Sequence, residues 1–577
     1  MRVNVLKSKN KSFVYIIKST WDGHKHSSKI VKKLGDLETL KKEHSDPIAW
    51  AKTIAKEMTD EENKKKKELT NDVTITLSAN YFLKKDEQKI FNCGYLFLQK
   101  LYYKLKIDKI CKKIKSKYKI KFDLNNILSM LLYSRIIYPS SKLSSYETAE
   151  KFLEKKNYNL QNVYRALDTI ADETDFIQSE LYKNSKLISK RNDSVLYYDC
   201  TNYFFETEYE EGIKKYGASK EHRPNPIVQM GLFMDADGIP LAFNINAGNT
   251  NEQLTLKPLE QQIINDFDKS KFIVCTDAGL SSLANKKFNS YAGRAYITTQ
   301  SIKKLAKHLK EYALDEKDWT LAGTNKIFNL DEIEKDKDLY TKYFNSTFYK
   351  SRWTNEKEHS EKLIVTFSFK YKNYQENIRN EQINRAKSFI NDKTSMIDKK
   401  SQNDCKRFIK KTSVTPDGEV AKNNLYALDE EKIKEEAKYD DFYAVTTNLK
   451  ENEENIIIVN HRRWEIEECF RIMKTEFKAR PVYLKRDNRI KAHFTTCFLS
   501  LVIYRYLEKQ INNKLTCREI IDTLKNMNLQ KISGEGYIPA YNRTNATDIL
   551  HESFDFHTDY QILTNKYLNH ILRETKK

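Results

Sequence analysis

The sequence predicts a mixed α/β fold, a sheet flanked by helices, on two observations. Segments rich in β-branched and aromatic residues at 194–206, 226–245 and 271–280 predict strands. The segment 226–245 predicts two strands joined as a hairpin through the turn Asp235-Ala236-Asp237-Gly238. A helical stretch that opens at Asn249 separates the last two of them, and another strand is predicted at 294–300. Three antiparallel strands followed by alternating helices and strands indicate a mixed sheet with helices on its faces.

Two modules precede the predicted sheet. Residues 12–20 and 27–35 are rich in β-formers and flank a turn at 21–24 that contains Asp-Gly, so they predict a β-hairpin. The charged stretch 60–72 predicts a solvated helix or a linker. Apolar residues spaced by three and four positions from 90 to 190 predict an all-helical domain of five or six helices.

In the second half of the chain, the hydrophobic pattern that predicts helices and strands is weak at first and becomes clear again near the end. Residues 301–438 are dense in Lys and Glu and contain one clear strand-like island. The predicted elements here are strands at 363–371 and 441–449, a long helix from about 455 to 478, and an apolar helix near 490–508.

Composition narrows the class of protein. The chain has 577 residues, and its 101 Lys and Arg against 80 Asp and Glu give a net charge of +21, which favours a polyanionic partner. Its 39% hydrophobic and 12% aromatic content excludes a disordered basic tail. Eight scattered cysteines without a C-x-x-C pair predict reduced thiols, and the N-terminus does not resemble a signal peptide. The most apolar window, 494–507, is too short and polar to span a bilayer and predicts a buried helix, so nucleic acid is the expected partner, with no membrane association.

Three acidic residues stand out within these predicted elements, two of them on strands. Asp199 lies in the middle of an apolar strand, where a carboxylate is costly unless it is paired or binds a cation. Asp277 ends a second apolar strand, a position at which α/β sheets present groups to ligands. Each also has a structural explanation, as a turn former at a strand end or as half of a buried ion pair.

The third acid, Glu467, lies in the predicted long helix. Arg463, Glu467 and Lys474 fall on one helical face, with Arg471 beside them, so one carboxylate is set within a cationic stripe. The structural alternative is an exposed ion pair between Arg463 and Glu467, worth roughly a few tenths of a kcal/mol. Trp464 is expected to be a packing aromatic.

Two strand-borne Asp residues and one helix-borne Glu could together hold two divalent cations. Such ions activate a water or a 3′-OH and stabilise the leaving oxygen in an in-line phosphoryl transfer. Mg²⁺ suits this donor set because it takes oxygen ligands and keeps several waters. The functional interpretation is therefore metal-dependent chemistry on a phosphodiester.

A series of segments also carries a family resemblance. They are YIIKSTWDGHKHSSKIVKKLG near the N-terminus, LYYDCTNYFFE, YGASKEHRPNP, GNTNEQLTL, VCTDAGLSS, RRWEIEECFRIMK and the apolar KAHFTTCFLSLVIYRYLE. In this order they resemble the DDE transposases of bacterial insertion sequences, in the group with an RNase H-like catalytic domain, a β-rich insertion and a Y-R-E-K signature. The resemblance spans most of the chain.

The resemblance implies a site residue by residue. Asp199, Asp277 and Glu467 match the catalytic metal ligands of the family, with Mg²⁺ or Mn²⁺ as the cofactor, two ions in all. In the signature Y-x2-R-x3-E-x6-K, Arg463 and Lys474 hold their places, and Asn460 stands where the family has its tyrosine. The implied DNA contacts are Arg463, Lys474, Asn460, Arg471, Lys220, His222 and Arg223.

The same resemblance implies an RNase H-like mixed sheet flanked by helices and interrupted by a β-containing insertion. The implied domains are a β-hairpin module with a charged linker (1–75), a helical DNA-binding domain (76–190), the first part of the catalytic domain (191–300), the insertion (301–445), the second part of the catalytic domain with the Glu helix (446–510), and a C-terminal helical region (511–577).

The implied activity is that of a transposase. It would bind the terminal inverted repeats of its element, cleave there as an endonuclease and join the 3′-OH to target DNA by a cut-and-paste route, as a homodimer in synapsis, in the cytoplasm at the nucleoid. Two alternatives stay open: an RNase H-like nuclease without strand transfer, and a domesticated derivative that binds DNA without catalysis.

Overall fold

A computed structural model of the chain describes residues 1–8, 11–21, 26–69, 75, 79–80, 82, 84–356, 359–391, 404–414, 420–439 and 441–577. The described chain forms two compact units. One comprises Met1–Lys190, Tyr203–Glu208 and Cys469–Lys577, and the other comprises Arg191–Asn202 and Tyr209–Glu468. No described helix is both long enough and apolar enough to cross a membrane.

The N-terminal module is a three-stranded antiparallel sheet with two helices. The predicted hairpin is confirmed as its second and third strands, while most of the predicted turn, residues 22–24, lies outside the described residues. The first strand was not predicted, although Val3 and Val5 alternate with polar residues. The elements are β1 Arg2–Ser8, β2 Lys11–Trp21, β3 His26–Asp36, α1 Leu37–Glu43 and α2 Pro47–Leu69.

The predicted helical domain contains six α-helices, as expected from the apolar spacing. Three of them start at a side-chain cap, at Asp123, Ser141 and Asn159, each accepting a backbone N–H of the first turn. The elements are β4 Ile90–Asn92, α3 Tyr95–Lys104, α4 Ile107–Tyr118, α5 Leu124–Ile137, α6 Lys142–Thr148, α7 Leu160–Asp172 and α8 Thr174–Ile188.

The predicted central sheet forms from the strands that the sequence indicates. Its first half runs in the order β7-β6-β5-β8-β9, with β8 parallel to both β5 and β9 and with β6 antiparallel to β7. This mixed sheet flanked by helices is the RNase H-like fold. The elements are β5 Val195–Phe204, β6 Ile227–Asp235, β7 Pro240–Ala247, α9 Leu256–Asp266, β8 Ile273–Thr276, α10 Leu283–Phe288 and β9 Ala295–Gln300.

The hairpin between β6 and β7 shows why the Asp-Ala-Asp-Gly turn was predictable. The Oδ1 atom of Asp235 accepts the backbone N–H groups of Asp237 and Ile239 at 3.0 and 2.9 Å, and Gly238 adopts a φ of 76°. Asp235 also pairs with Arg191, and both side chains are buried.

Most strands after residue 300 extend the same sheet, while β14 and β15 pair with each other as a separate two-stranded sheet. Strands β10 to β13 continue the order as β11-β10-β12-β13-β16, and β16 pairs with β9. A core around the fully buried Trp319 supports them. The elements are α11 Lys307–Leu314, β10 Trp319–Leu321, β11 Ile327–Phe328, α12 Leu330–Lys335, α13 Lys337–Tyr343, β12 Phe348–Glu356, β13 His359–Phe367, α14 Phe369–Asn391, β14 Ile409–Val414, β15 Val420–Leu428, α15 Glu430–Ala437 and β16 Phe442–Thr447.

The predicted long helix from 455 to 478 is wrong as a single element. The structure has α16 Glu453–His461, a turn at 462–463, α17 Trp464–Arg471 and a π-helical segment Ile472–Glu476. Asn460 and Val459 accept backbone N–H groups from the turn, so the chain changes direction immediately before Trp464. The cationic face predicted for one continuous α-helix therefore does not extend from Arg463 to Lys474, because Lys474 lies in the π-helical segment.

The apolar helix near 490–508 is confirmed as α18 Asp487–Gln510, which is buried along most of its length and packs against α3, α5, α7 and α8. The C-terminal region adds a small sheet that the sequence did not predict, in the order β19-β18-β17-β4. Its elements are α19 Cys517–Asn526, β17 Asn528–Ile532, β18 Gly536–Pro539, α20 Asn545–Phe554, β19 Leu563–Thr564 and α21 Asn565–Glu574.

Candidate active site

The two strand-borne acids lie level with each other on neighbouring parallel strands. In the β5–β8 pair, Tyr197 is opposite Cys275; Asp199 lies two residues further along β5, and Asp277 lies two residues beyond Cys275, immediately after β8 ends at Thr276. Parallel neighbours lie about 4.8 Å apart, and residues two positions along a strand point to the same face. Asp199 is the one residue of β5 that is not fully buried.

One guanidinium joins the acids. Arg463 Nη2 lies 3.7 Å from Asp277 Oδ1, and Arg463 Nη1 lies 3.6 Å from Glu467 Oε1. Asp199 also acts electrostatically on Arg463. The three predicted acids therefore lie near one shared guanidinium, and Lys220 adds a second positive charge beside Asp199.

The electrostatic environment differs from acid to acid. Burial raises the pKa of Asp199 to about 6, although Lys220, the Cys200 N–H and Arg463 oppose the rise. Burial alone would lower the pKa of Arg463, but Asp277 and its other anionic neighbours raise it overall. Asp199 is thus harder to ionise than an exposed aspartate, despite its cationic neighbours.

Helix α16 is fixed to the strands that carry the acids, which positions the turn before Glu467. The Tyr197 hydroxyl donates to the Val459 carbonyl at 2.8 Å, tying α16 to β5. The Cys275 thiol donates to the side-chain oxygen of Asn460 at 3.7 Å, tying α16 to β8. Asn460 is only 7% exposed, which makes it the least accessible of the predicted DNA contacts; that contact stays a prediction.

The loop after β5 brings one predicted cation to the acids. Lys220 Nζ donates to the Cys200 carbonyl and lies 3.3 Å from Glu252 Oε1. His222 and Arg223 are exposed in the same loop, and the backbone N–H of each donates to Ser219. Glu252, the partner of Lys220, was not predicted as a site residue from the sequence. The one indication was its position within the segment GNTNEQLTL.

The two remaining predicted cations belong to the other compact unit. Lys474 Nζ lies 5.5 Å from the centre of the Tyr203 ring, and Arg471 lies 3.4 Å from Glu476. Trp464 is 57% exposed, so the expectation that it packs in a core is wrong. Trp464 precedes the buried Ile466 by two positions within α17, which places it on the opposite side of that helix.

The donor set fits a divalent cation of the hard type. All three acids offer only carboxylate oxygens, which Mg²⁺ and Mn²⁺ accept. Asp199 forms no ion pair with any residue that the structure describes, and its pKa is raised by burial, so a bound cation would compensate it directly. The site therefore offers the chemistry that such an ion requires.

A second group of metal-ligand types lies in the C-terminal region, where its members contact one another. His551, His557 and Asp559 place their ligand atoms within 4.8 Å of one another. The Thr558 N–H donates to His551 Nε2 at 3.2 Å, so in the neutral ring Nδ1 carries the proton and faces Asp559 at 3.5 Å. Burial lowers the pKa of His551 to about 4, which keeps that ring neutral.

Comparison with known proteins decides the family. The family model described as a transposase DDE domain matches residues 193–503, more than half of the chain. This chain belongs to the DDE transposases. The matched span includes Asp199, Asp277 and Glu467, together with the segment between β9 and β16. The family acts on DNA as transposases and generally uses divalent metals.

Other comparisons add little to this assignment. No curated protein sequence matches the chain. Among solved structures, the chain is similar to a piggyBac transposase in a synaptic complex with hairpin DNA, at 7% identity and a TM-score of 0.32, over 84% of each chain. A likeness this distant assigns no residue.

Proposed function

We propose that this DDE transposase cleaves DNA at the ends of a bacterial insertion sequence and joins the freed 3′-OH to target DNA. The observation that supports it is the convergence of Asp277, Glu467 and Asp199 on Arg463, with the two Asp residues level on adjacent parallel strands. Three carboxylates against the two cations Arg463 and Lys220 leave a net negative site on a chain of net charge +21.

In this proposal Asp199, Asp277 and Glu467 hold two Mg²⁺ or Mn²⁺ ions. When bound, the ions supply an activated water or 3′-OH and stabilise the leaving oxygen of an in-line displacement. The chain itself supplies the fixed geometry. Asp199 is held within the sheet and Asp277 follows one of its strands, while Glu467 lies in α17, directly after the helix α16 that the contacts of Tyr197 and Asn460 anchor to the sheet.

The predicted cations would hold the DNA backbone around the acids. Lys220 and Arg463 are placed to contact the phosphate that reacts, since both already act on Asp199. Arg471, Lys474, His222, Arg223 and Asn460 complete the set of proposed DNA contacts. The loop of His222 and Arg223 is exposed, so it can reach a backbone without rearrangement of the sheet.

The larger organisation is proposed on the same basis. Residues 76–190 would bind the terminal inverted repeats, the segment 301–445 would be the insertion, and two copies would pair the two ends before a cut-and-paste excision. The N-terminal module (1–75), the two catalytic parts (191–300 and 446–510) and the C-terminal region (511–577) keep their proposed boundaries.

The test uses DNA that carries the inverted repeats flanking the gene, with a plasmid as target. We expect Mg²⁺-dependent cleavage at the repeat ends and a labelled joined product from the parent. Asp199→Asn, Asp277→Asn and Glu467→Gln should give neither. Glu465→Gln is the matched control, because Glu465 lies in the same helix and pairs with Arg462 at 2.9 Å.

Each alternative outcome of this test would lead to a different conclusion about the function or the site. Cleavage without a joined product indicates a nuclease that lacks strand transfer. Binding that weakens with salt but never leads to cleavage indicates a domesticated DNA-binding derivative. Cleavage by all three acid variants at the parent's rate would show that the residues of the active site are assigned incorrectly.

A further inference from the structure

A cationic cavity lies within the unit that contains the helical domain, formed entirely by residues of that unit. It measures about 390 Å³, within the size range of ligand pockets. Four cations line it: Arg135, Lys142, Lys478 and Arg480. None of the described residues that line it is an Asp or a Glu.

Lys142 is the most informative of these cations. It is 5% exposed, and its Nζ atom has no hydrogen-bond partner among the residues that the structure describes. Burial, together with the nearby charge of Arg135, lowers its pKa to about 7. A buried ammonium without a counter-charge is costly, so the fold holds Lys142 there at the expense of stability.

Arg135 is equally buried, at 3% exposed, but it is held rigidly. Its guanidinium donates to the carbonyls of Phe477 and Ser140 at 3.0 and 2.9 Å, while its Nε has no partner among the described residues. Arg135 therefore stays next to Lys142 although the two repel each other.

The mouth of the cavity adds charge and aromatic surface. Lys478 is exposed, and Arg480 lies over the Phe204 ring, 5.6 Å from its centre. Tyr164 and Tyr483 line the cavity as well, and Arg489 lies over the Tyr164 ring at 5.1 Å. Positive charge at the base and aromatic faces at the rim suit a phosphate group attached to a nucleoside.

We propose that this cavity binds a phosphate group of DNA, with Lys142 and Arg135 as its deepest contacts. The ligand supplies the negative charge that the lining lacks. Phosphate oxygens accept from several donors at once, which matches an ammonium and a guanidinium side by side. The proposal rests on DNA being the partner of the proposed function, but it does not require the acid site to be active.

The experiment measures binding to a mixed-sequence DNA duplex at several salt concentrations, using the full chain and Lys142→Met. We expect weaker binding by the variant and a salt slope smaller by about 0.9, the value for one lost phosphate contact. Lys531→Met is the control, because Lys531 is exposed on β17, lies outside the proposed DNA-binding domain and does not line the cavity. Thermal unfolding in phosphate-free buffer is measured in parallel.

The two readouts separate a binding role from a structural one. If Lys142 supports folding, Lys142→Met lowers the melting temperature. If Lys142 instead binds a phosphate group, the variant has a higher melting temperature and a lower affinity for DNA. Inorganic phosphate should stabilise the parent more than the variant. Stabilisation by phosphate with unchanged DNA affinity and salt slope would assign the cavity to a free anion and overturn its role in DNA binding. Cleavage assays with the acid variants report on the proposed function independently.

Discussion

Two regions of this transposase carry opposite and uncompensated charge. Around Arg463, three carboxylates share one guanidinium. Around Lys142, four cations line a cavity that contains no described carboxylate. Each region contains one buried ionisable side chain: burial raises the pKa of Asp199 and lowers the pKa of Lys142, and both shifts favour the neutral form.

The difference in sign indicates what each region lacks. Excess carboxylate calls for a metal cation, and excess ammonium and guanidinium call for a phosphate. If stability alone determined the sequence, these charged groups would form ion pairs within the protein, as Arg191 and Asp235 do. Under the two proposals, the uncompensated charge in each region is the cost of binding ligands of opposite sign.

The largest expected effect separates chemistry from binding. Asp277→Asn and Glu467→Gln should lower the rate of DNA cleavage by about 10³-fold, because metal-assisted stabilisation of a phosphoryl-transfer transition state is worth several kcal/mol. Their affinity for DNA, measured by electrophoretic mobility shift in EDTA, should stay equal to or exceed that of the parent, since each variant removes a negative charge. Affinity lost together with cleavage would show that the acids serve the fold instead.

The next effect compares the two buried cations of the cavity. Arg135→Met should destabilise the protein by about 3 kcal/mol, because the carbonyls of Phe477 and Ser140 lose a charged donor in a buried place. Lys142→Met should act in the opposite direction in phosphate-free buffer. Urea unfolding of the two variants beside the parent measures both, and destabilisation by both would remove the distinction between the two residues.

Part of this arrangement could be predicted from the sequence. The β-branched runs identified β5 and β8, and these strands carry Asp199 and Asp277 into register because both acids lie two residues beyond the Tyr197–Cys275 pair. The pairing of Arg463 with Glu467 also follows from a spacing of four residues. Local periodicity was sufficient for these features.

Other features depend on contacts that no local pattern encodes. The turn before Trp464 ends α16 without a Gly or Pro, so the predicted helix ran through it. The cationic cavity brings Arg135 and Lys142 together with residues near position 480, more than 300 positions along the chain. A buried lysine looks like any other lysine in a Lys-rich sequence, so only the fold could identify it.

A smaller effect is expected at the acid site. Asp199→Asn should stabilise the protein in EDTA at pH 7.5 by about 1 to 2 kcal/mol, since the folded state no longer holds an ionised carboxylate whose pKa burial has raised to about 6. The stabilisation that Mg²⁺ gives the parent should be absent in the variant. Differential scanning calorimetry with and without Mg²⁺ measures both quantities.

The smallest effect is a pH dependence that belongs to Lys142 alone. Its pKa is lowered from 10.5 to about 7, so between these values the unfolded state binds more protons and stability rises with pH. Arg135, Cys497 and His493 interact with it electrostatically, and Lys478 and Arg480 line the same cavity; burial keeps the His493 ring neutral. From pH 7 to 8 the parent should gain about 1 kcal/mol of unfolding free energy relative to Lys142→Met in phosphate-free buffer. Bound phosphate should remove this gain, because an anion beside the ammonium restores its ordinary pKa; a gain that persists with DNA or phosphate bound would mean that the anion does not reach Lys142.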